Sequence, residues 1–279
     1  MLLITGAKGQ LGTELSKRLP DVIKSDVDTL DITNNKMVNE FVHDYKIDTI
    51  INCAAYTAVD KAEDNIGLAN KINIGGPRNL ASTGAKVVHI STDYVFDGTA
   101  HRPYTPNYRP NPISVYGETK LAGENAVLDI AQNAIIIRTA WLYSPYGNNF
   151  VKTMRRLGAE KEEINVVADQ IGTPTYAGDL ADAIVKILPQ MNLKTRGIYH
   201  FTNMGVCSWY DFATEIMELS GLKCKVNPIS SAEYPTRAKR PYYSVLDKSD
   251  IINTFGLEIP HWKDSLKKCI AELDKQKTK

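Results

Sequence analysis

Residues 2–15 read LLITGAKGQLGTEL: a short apolar run, three glycines, then a helical pattern. Gly6, Gly9 and Gly12 recur at three-residue spacing. Such a turn lets the backbone bend sharply and lets a pyrophosphate approach the amides at a helix N-terminus. The spacing differs from G-x-G-x-x-G, so its weight comes from context, a strand before and a helix behind. Asp26 lies twenty residues beyond Gly6, at the end of the next strand candidate. A carboxylate there would bond the ribose 2′-hydroxyl of NAD. Lys8 is a cation that would pair with a 2′-phosphate, which Asp26 would repel. The expectation is NADH, with NADPH tolerated.

Working outward, the first half alternates β-branched runs with helical patterns. The strand candidates are LLIT (2–5), DVIKSD (21–26), DTIINCA (48–54), KVVHIST (86–92) and AIIIRTAW (134–141). Between them lie helix candidates at 10–19, 35–45, 68–82 and 116–131. Continuous apolar strands separated by amphipathic helices imply a parallel sheet covered on both faces. With right-handed crossovers this becomes a doubly wound α/β sheet of the Rossmann type. After about residue 145 the pattern is mixed, with helices over 150–159, 176–188 and 208–221 and short strands over 164–167, 197–202 and 224–229. From His261 onward, Leu266, Ile270 and Leu273 stand at helical spacing with lysines opposite. The expected division is a dinucleotide-binding domain at 1–145 with returning segments at about 174–203. A smaller interleaved α/β substrate lobe would take about 146–173 and 204–279.

Bulk properties exclude several classes. Hydrophobic residues at 43% and charged residues at 23% match an ordinary globular protein. A net charge of +1 offers no bulk attraction to nucleic acid or an anionic membrane. No apolar run approaches the roughly 18–20 residues of a membrane span. MLLITGAKG has no basic n-region and no cleavage site, so a signal peptide is not expected and a cytoplasmic location is. Cys53, Cys207, Cys224 and Cys269 show no C-x-x-C spacing, and the histidines are dispersed. No catalytic metal is expected, and His89 in KVVHIST reads as a packed strand residue.

Thr92 stands at the carboxyl end of the fourth strand candidate, where open α/β sheets put their ligands. In SVYGETKLAGE (114–124), Tyr116 and Lys120 are one helical turn apart and point the same way. A hydroxyl, a phenol and an ammonium beside a nicotinamide make a set for moving a hydride to or from a carbonyl. The phenol would exchange a proton with the substrate oxygen, the hydroxyl would bond that oxygen, and the lysine would hold the nicotinamide ribose. A charge at ~6 Å with an effective dielectric of ~20 supplies ~2.8 kcal/mol, so Lys120 is expected to lower the phenol by about two units.

Gly6, Gly9 and Gly12 with Thr92, Tyr116 and Lys120, in this order and spacing, resemble the extended short-chain dehydrogenase/reductases over residues 1 to about 145. NCAAYTAVDKAE, STDYVFDG, YGETKLAGE, IIRTAWLYSPYGNNFV, ADQIGTPTYAGDLA and SWYDFA further resemble the dTDP-4-dehydrorhamnose reductases among them, through most of the chain. The resemblance implies NAD(P)H-dependent reduction of the C4 ketone of a dTDP-4-dehydro sugar, the last step towards dTDP-L-rhamnose for cell-surface polysaccharide. It implies that Gly9, Gln10 and Leu11 meet the cofactor phosphates, Asp26, Asp31 and Ile32 its adenosine end, and Ala55, Tyr56 and Thr57 its path. Thr92, Asp93 and Trp141 would face the sugar. The protein would be a monomer or a homodimer. A magnesium-bridged dimer is known for such proteins, with Glu14 as the candidate ligand here; a solvated helix carboxylate is the expectation for that residue.

Asp60 and Lys61 read either as a surface pair or as part of the cofactor crevice. Arg237, Lys239 and Arg240 with Tyr242 and Tyr243 read either as a site for a diphosphate and a base or as a basic solvent loop. The rival functions are a nucleotide-sugar epimerase or dehydratase on the same scaffold, and a non-catalytic subunit like that of methionine adenosyltransferase. Asp93 is followed by Tyr94 and not by glutamate, which disfavours elimination chemistry.

Overall fold

The computed structural model describes residues 1–277. In chain order the first half runs β1 (Leu2–Thr5), α1 (Gln10–Arg18), β2 (Ile23–Ser25), α2 (Asn35–Asp44), β3 (Thr49–Asn52), α3 (Val59–Ala62), α4 (Ile66–Asn70), α5 (Gly76–Ala81), β4 (Lys86–Thr92), α6 (Val115–Ile130) and β5 (Ala134–Thr139). The second half runs β6 (Leu142–Tyr143), α7 (Phe150–Glu160), β7 (Glu163–Val167), β8 (Ile171–Gly172), β9 (Thr175–Tyr176), α8 (Ala177–Ile187), β10 (Gly197–His200), β11 (Cys207–Ser208), α9 (Trp209–Leu219), β12 (Lys225–Ile229), α10 (Ser249–Phe255) and α11 (Trp262–Lys277).

Six strands form one parallel sheet in the order β10-β5-β4-β3-β1-β2. The chain moves outward from β1 to β2, then returns to lay β3 on the other side of β1. That reversal opens a crevice beyond the carboxyl ends of β1 and β3, the position for a ligand in such sheets. Alternate side chains explain why the strands read as continuous apolar runs. Ile4 of β1 joins a cluster with Leu15 of α1 and Leu180 of α8, while its neighbour Leu3 joins Val38 of α2 and Leu80 of α5 on the other face. In β5, Ile135 and Ile137 face the first cluster, and Ala134 and Ile136 face Val127 of α6. Both faces are dry, as the pattern requires.

A separate cluster fills the second half. Phe212 and Ile216 of α9 and Leu266 and Ile270 of α11 pack with Val151 of α7 and Ile164 of β7. Leu266, Ile270 and Leu273 are buried at 0%, 4% and 8% exposure, as their helical spacing predicts. Each such side chain contributes about 1.5–3 kcal/mol. β7 pairs with β12 in parallel and β8 with β11 antiparallel. Ile251, Phe255 and Leu257, around α10, pack with the sheet cluster instead.

The helix predicted over 68–82 is present over residues 66–81, but it is not α-helical throughout. α4 passes into a π turn over Lys71–Gly75 before α5 begins at Gly76. Gly76 is pressed so closely on Ile32 that a Cβ would stand 2.4 Å from it. No described helix is long and apolar enough to cross a membrane.

Candidate active site

The glycine turn is shaped by contact with the backbone around it. Gly6 has φ +66°, and a Cβ there would lie 2.7 Å from the Ala54 amide nitrogen. A Cβ on Gly12 would lie 2.2 Å from the Gly6 carbonyl oxygen. These glycines bring the start of α1 against the ends of β1 and β3. Gly9 caps α1 without a side chain, and no acidic residue occupies the first turn. The first amides of the helix are therefore open to the crevice at its positive end. This cradle fits a pyrophosphate.

Beyond β2, Asp26 accepts hydrogen bonds from the amides of Lys8 at 3.0 Å and Val27 at 2.9 Å. Lys8 lines the same crevice, and its ammonium pairs with Asp28. Asp31 is held by the Thr33 amide at 2.9 Å and the Thr33 hydroxyl at 2.7 Å, and these bonds lower its carboxyl below the usual range. Gly6, Gly9, Gln10, Leu11, Gly12, Asp26, Asp31, Ile32, Ala55 and Thr57 all line one cleft of about 930 Å³. Thr92, Asp93, Tyr116, Lys120 and Trp141 line the same cleft. Tyr56 does not stand on its wall. Its ring packs near Ala62, Ala69 and Tyr116, and its amide donates to Asn73.

At the other end of the cleft, Ser114 caps α6 by accepting from the Gly117 amide at 3.2 Å. A Cβ on Gly117 would lie 2.1 Å from the Tyr94 carbonyl oxygen. That close approach sets Tyr116 beside Thr92, with the Tyr94 ring edge-on at 5.5 Å. The phenol of Tyr116 stands close to the Thr92 side chain, and burial pushes its pKa well above the ordinary value. The expected lowering by Lys120 is therefore corrected. The ammonium donates to the Ile90 carbonyl at 2.6 Å, and burial sets the direction of the phenol's shift. Burial lowers Lys120 itself to about 8, with Glu124 acting in the opposite sense.

Asp93 is 2% exposed, and burial raises its carboxyl to about 7. Its Oδ1 accepts from the Thr92 hydroxyl at 3.0 Å. Ser244 stands close enough to favour the carboxylate but makes no hydrogen bond of ordinary geometry, so Oδ2 is left unpaired. Trp141 follows β5 with φ +49°, a conformation that costs about 1–3 kcal/mol for a residue with a Cβ. Its ring stacks on Trp209 at 3.5 Å and 12°. The strained turn thus presents an indole to the cleft and backs it with the second core.

Other expectations change. Glu14 is buried at 2% exposure between α1 and the second half, where Arg18 bonds it at 2.6 Å and its Oε1 has no partner. It is not a solvated carboxylate, because α1 packs along α8. Among the described residues no group of three or more His, Cys, Asp or Glu side chains is placed to hold a metal. Arg237 and Arg240 stand off the cleft wall, on a loop that is largely exposed as the solvent-loop reading expects. Arg240 pairs with Asp60 and donates to the Tyr94 hydroxyl at 3.1 Å, and Arg237 pairs with Asp64 at 2.9 Å. Asp60 serves this loop and is absent from the cleft wall.

Two constellations escaped the sequence reading. Asn73, on the π turn, accepts from the Tyr56 amide at 2.8 Å and donates to Thr119 at 3.0 Å, which ties the loop after β3 to α6. Arg138 and Glu124 form a buried pair beneath the cleft. The signal for the second was visible: one arginine inside the apolar run AIIIRTAW.

Comparison with known proteins agrees with this geometry. A family profile described as the RmlD substrate binding domain matches residues 1–275. A dTDP-4-dehydrorhamnose reductase of Aggregatibacter actinomycetemcomitans is 43% identical, over 95% of this chain and 97% of that one. The crystal structure of a dTDP-4-dehydrorhamnose reductase from Clostridium acetobutylicum superposes with a TM-score of 0.94 at 49% identity, covering 98% of this chain and 99% of that one. The Bacillus anthracis enzyme of the same name, in complex with NADP, gives 0.93 at 45%, covering 97% and 98%. The chain belongs to the RmlD substrate binding domain family.

Proposed function

We propose that this protein reduces the C4 ketone of dTDP-4-dehydro-L-rhamnose to dTDP-L-rhamnose with NAD(P)H, a step in nucleotide-sugar biosynthesis for cell-surface polysaccharide. The observation that carries the reading is a single cleft lined by the glycine cradle at one end and by Thr92, Tyr116 and Lys120 at the other. A bound nicotinamide would supply the hydride. Gly9, Gln10 and Leu11 would hold its phosphates by their amides, and Asp26, Asp31 and Ile32 its adenosine end.

The chain's own residues handle the proton. Tyr116 is a neutral phenol at physiological pH because burial disfavours its anion. A protonated phenol is the form that reduction needs, since the growing alkoxide at C4 must be met by an acid. The Thr92 hydroxyl bonds the same substrate oxygen and keeps it in line with the phenol. Lys120 would anchor the nicotinamide ribose through its ammonium. Asp93 and Trp141 form the sugar's wall, and the indole gives the apolar C6 methyl a flat surface.

The division of labour follows the two cores. Residues 1–145 and 174–203 serve the dinucleotide, joined by the α10 region that packs on the sheet, and the remainder forms the substrate lobe. Asp26 lines the adenosine end of the cleft, where its carboxylate would accept from a ribose 2′-hydroxyl and repel a 2′-phosphate. NADH is therefore the preferred reductant, and a lower KM for NADPH would overturn that assignment. Purified protein, NADH and dTDP-4-dehydro-L-rhamnose, followed at 340 nm, test the whole reading. Loss of one NADH per sugar is expected; an unchanged absorbance with conversion of the sugar would mark an epimerase.

A further inference from the structure

α6 carries Tyr116, Lys120 and Glu124 at successive four-residue steps, so the three side chains share one stripe. Glu124 is 0% exposed and its partner Arg138, on β5, is 1% exposed. Arg138 Nε donates to Glu124 Oε1 at 2.9 Å and Nη2 to Oε2 at 2.6 Å, a two-pronged bond. The Ser91 hydroxyl donates to the same Oε1. Arg138 also donates to the Pro106 carbonyl, and its guanidinium lies 5.1 Å from the centre of the Phe96 ring. The pair thereby fastens β4, β5 and α6 behind the cleft.

Stability alone does not call for charge here, because a well-packed apolar pair holds such a place as firmly. The neighbourhood of Lys120 supplies a reason. On its own helix the ammonium is faced by Tyr116 and Glu124, at the end of β3 by Cys53, and on β4 by His89. Burial raises the Cys53 thiol to about 12, lowers His89 well below its usual range and raises Tyr116. All three are neutral near pH 7. Asp93 acts on the two neighbouring tyrosines, Glu63 is engaged by the Val115 amide at the start of α6, and Lys71 stands on the cleft wall. Glu124 is thus the anion that opposes the burial of this ammonium.

We propose that Glu124, fixed by Arg138 and Ser91, is a positioning residue that keeps Lys120 cationic in the cleft. This rests on the role given above to Lys120. Arg138 and Ser91 hold the carboxylate still one helical turn from Lys120, where its sign favours the ammonium.

The test reads Lys120 directly, in protein labelled with 13C at lysine Cε and titrated by NMR without cofactor. Its resonance is assigned by Lys120→Met. In the unsubstituted protein the midpoint should fall at about 8. Glu124→Asp keeps the charge and should keep the midpoint within about 0.3 unit. The neutral pairs E124Q/R138M and E124Q/R138Q avoid an orphaned guanidinium; because the carboxylate goes together with its opposing cation, they should lower the midpoint by about half a unit or more, less than a whole lost charge would. The basic limb of the kcat profile should move with it. A neutral pair that titrates with the unsubstituted protein overturns the proposal, as does an Asp variant that falls equally far. Loss of fold in both neutral pairs, with Glu124→Asp folded, would assign the pair to the fold alone and also overturn it. The titration needs no substrate, so its failure leaves the reductase reading standing, whereas absent NADH oxidation with an intact titration would do the reverse.

Discussion

Asp93 and Tyr116 show what burial does to individual groups in this cleft. For Asp93 the folded carboxyl titrates at about 7 against an ordinary 3.8, so between those values the folded chain keeps a proton that the unfolded chain has released. Stability then falls as pH rises from about 4 to about 7, by roughly 4 kcal/mol for three units at a fully buried group. Asp93→Asn mimics the protonated form and removes this term. Denaturant midpoints at pH 4.5 and 7.5 should show the variant gaining on the unsubstituted protein at the higher pH; parallel pH curves would contradict the assignment. Thr92, Tyr116 and Lys120 could be placed from their spacing, because a strand end and a helix turn fix where their side chains go. The sign of the Tyr116 shift could not. It depends on how much protein covers the ring and on Lys120 turning to the Ile90 carbonyl, neither of which one helix reveals.

At the scale of elements, the glycine turn and α1 were legible because each glycine answers a local steric demand. Gly12→Ala would set a Cβ 2.2 Å from the Gly6 carbonyl and force α1 away from the cradle. NADH affinity, measured by fluorescence quenching, should drop at least about tenfold while the far-ultraviolet circular dichroism is retained. Unchanged affinity would mean that the turn does not hold the pyrophosphate. The π turn at Lys71–Gly75 was not legible. A wider turn differs from an α-helix by one residue, and its cause is the burial of Asn73 against Tyr56 and Thr119, partners far away in sequence. The same holds for Tyr56, whose position after β3 is local while the direction of its ring is set by Ala62, Ala69 and Tyr116.

For the whole molecule, the period of apolar residues sufficed for the parallel sheet, since each strand is dry on both faces and each crossover helix has one apolar stripe. How the halves meet was harder to read. Glu14 looks like a surface residue on a helical wheel, and only the packing of α1 along α8 and towards Tyr176 buries it. The cleft itself is completed across this junction by the Trp141–Trp209 stack. Trp209→Ala should raise the KM for the sugar nucleotide about tenfold, in keeping with an aromatic contact of roughly 1–1.5 kcal/mol, and leave NADH affinity in place. Equal losses for both ligands would show that the stack holds the fold and not the sugar.

The central claim is that the phenol of Tyr116 gives the proton that completes ketone reduction. Tyr116→Phe removes one oxygen from a buried ring and leaves the cradle untouched. Turnover with NADH and dTDP-4-dehydro-L-rhamnose should fall at least ~100-fold, the scale of losing a positioned acid, with the dissociation constant for NADH unchanged. Turnover close to that of the unsubstituted protein would contradict it.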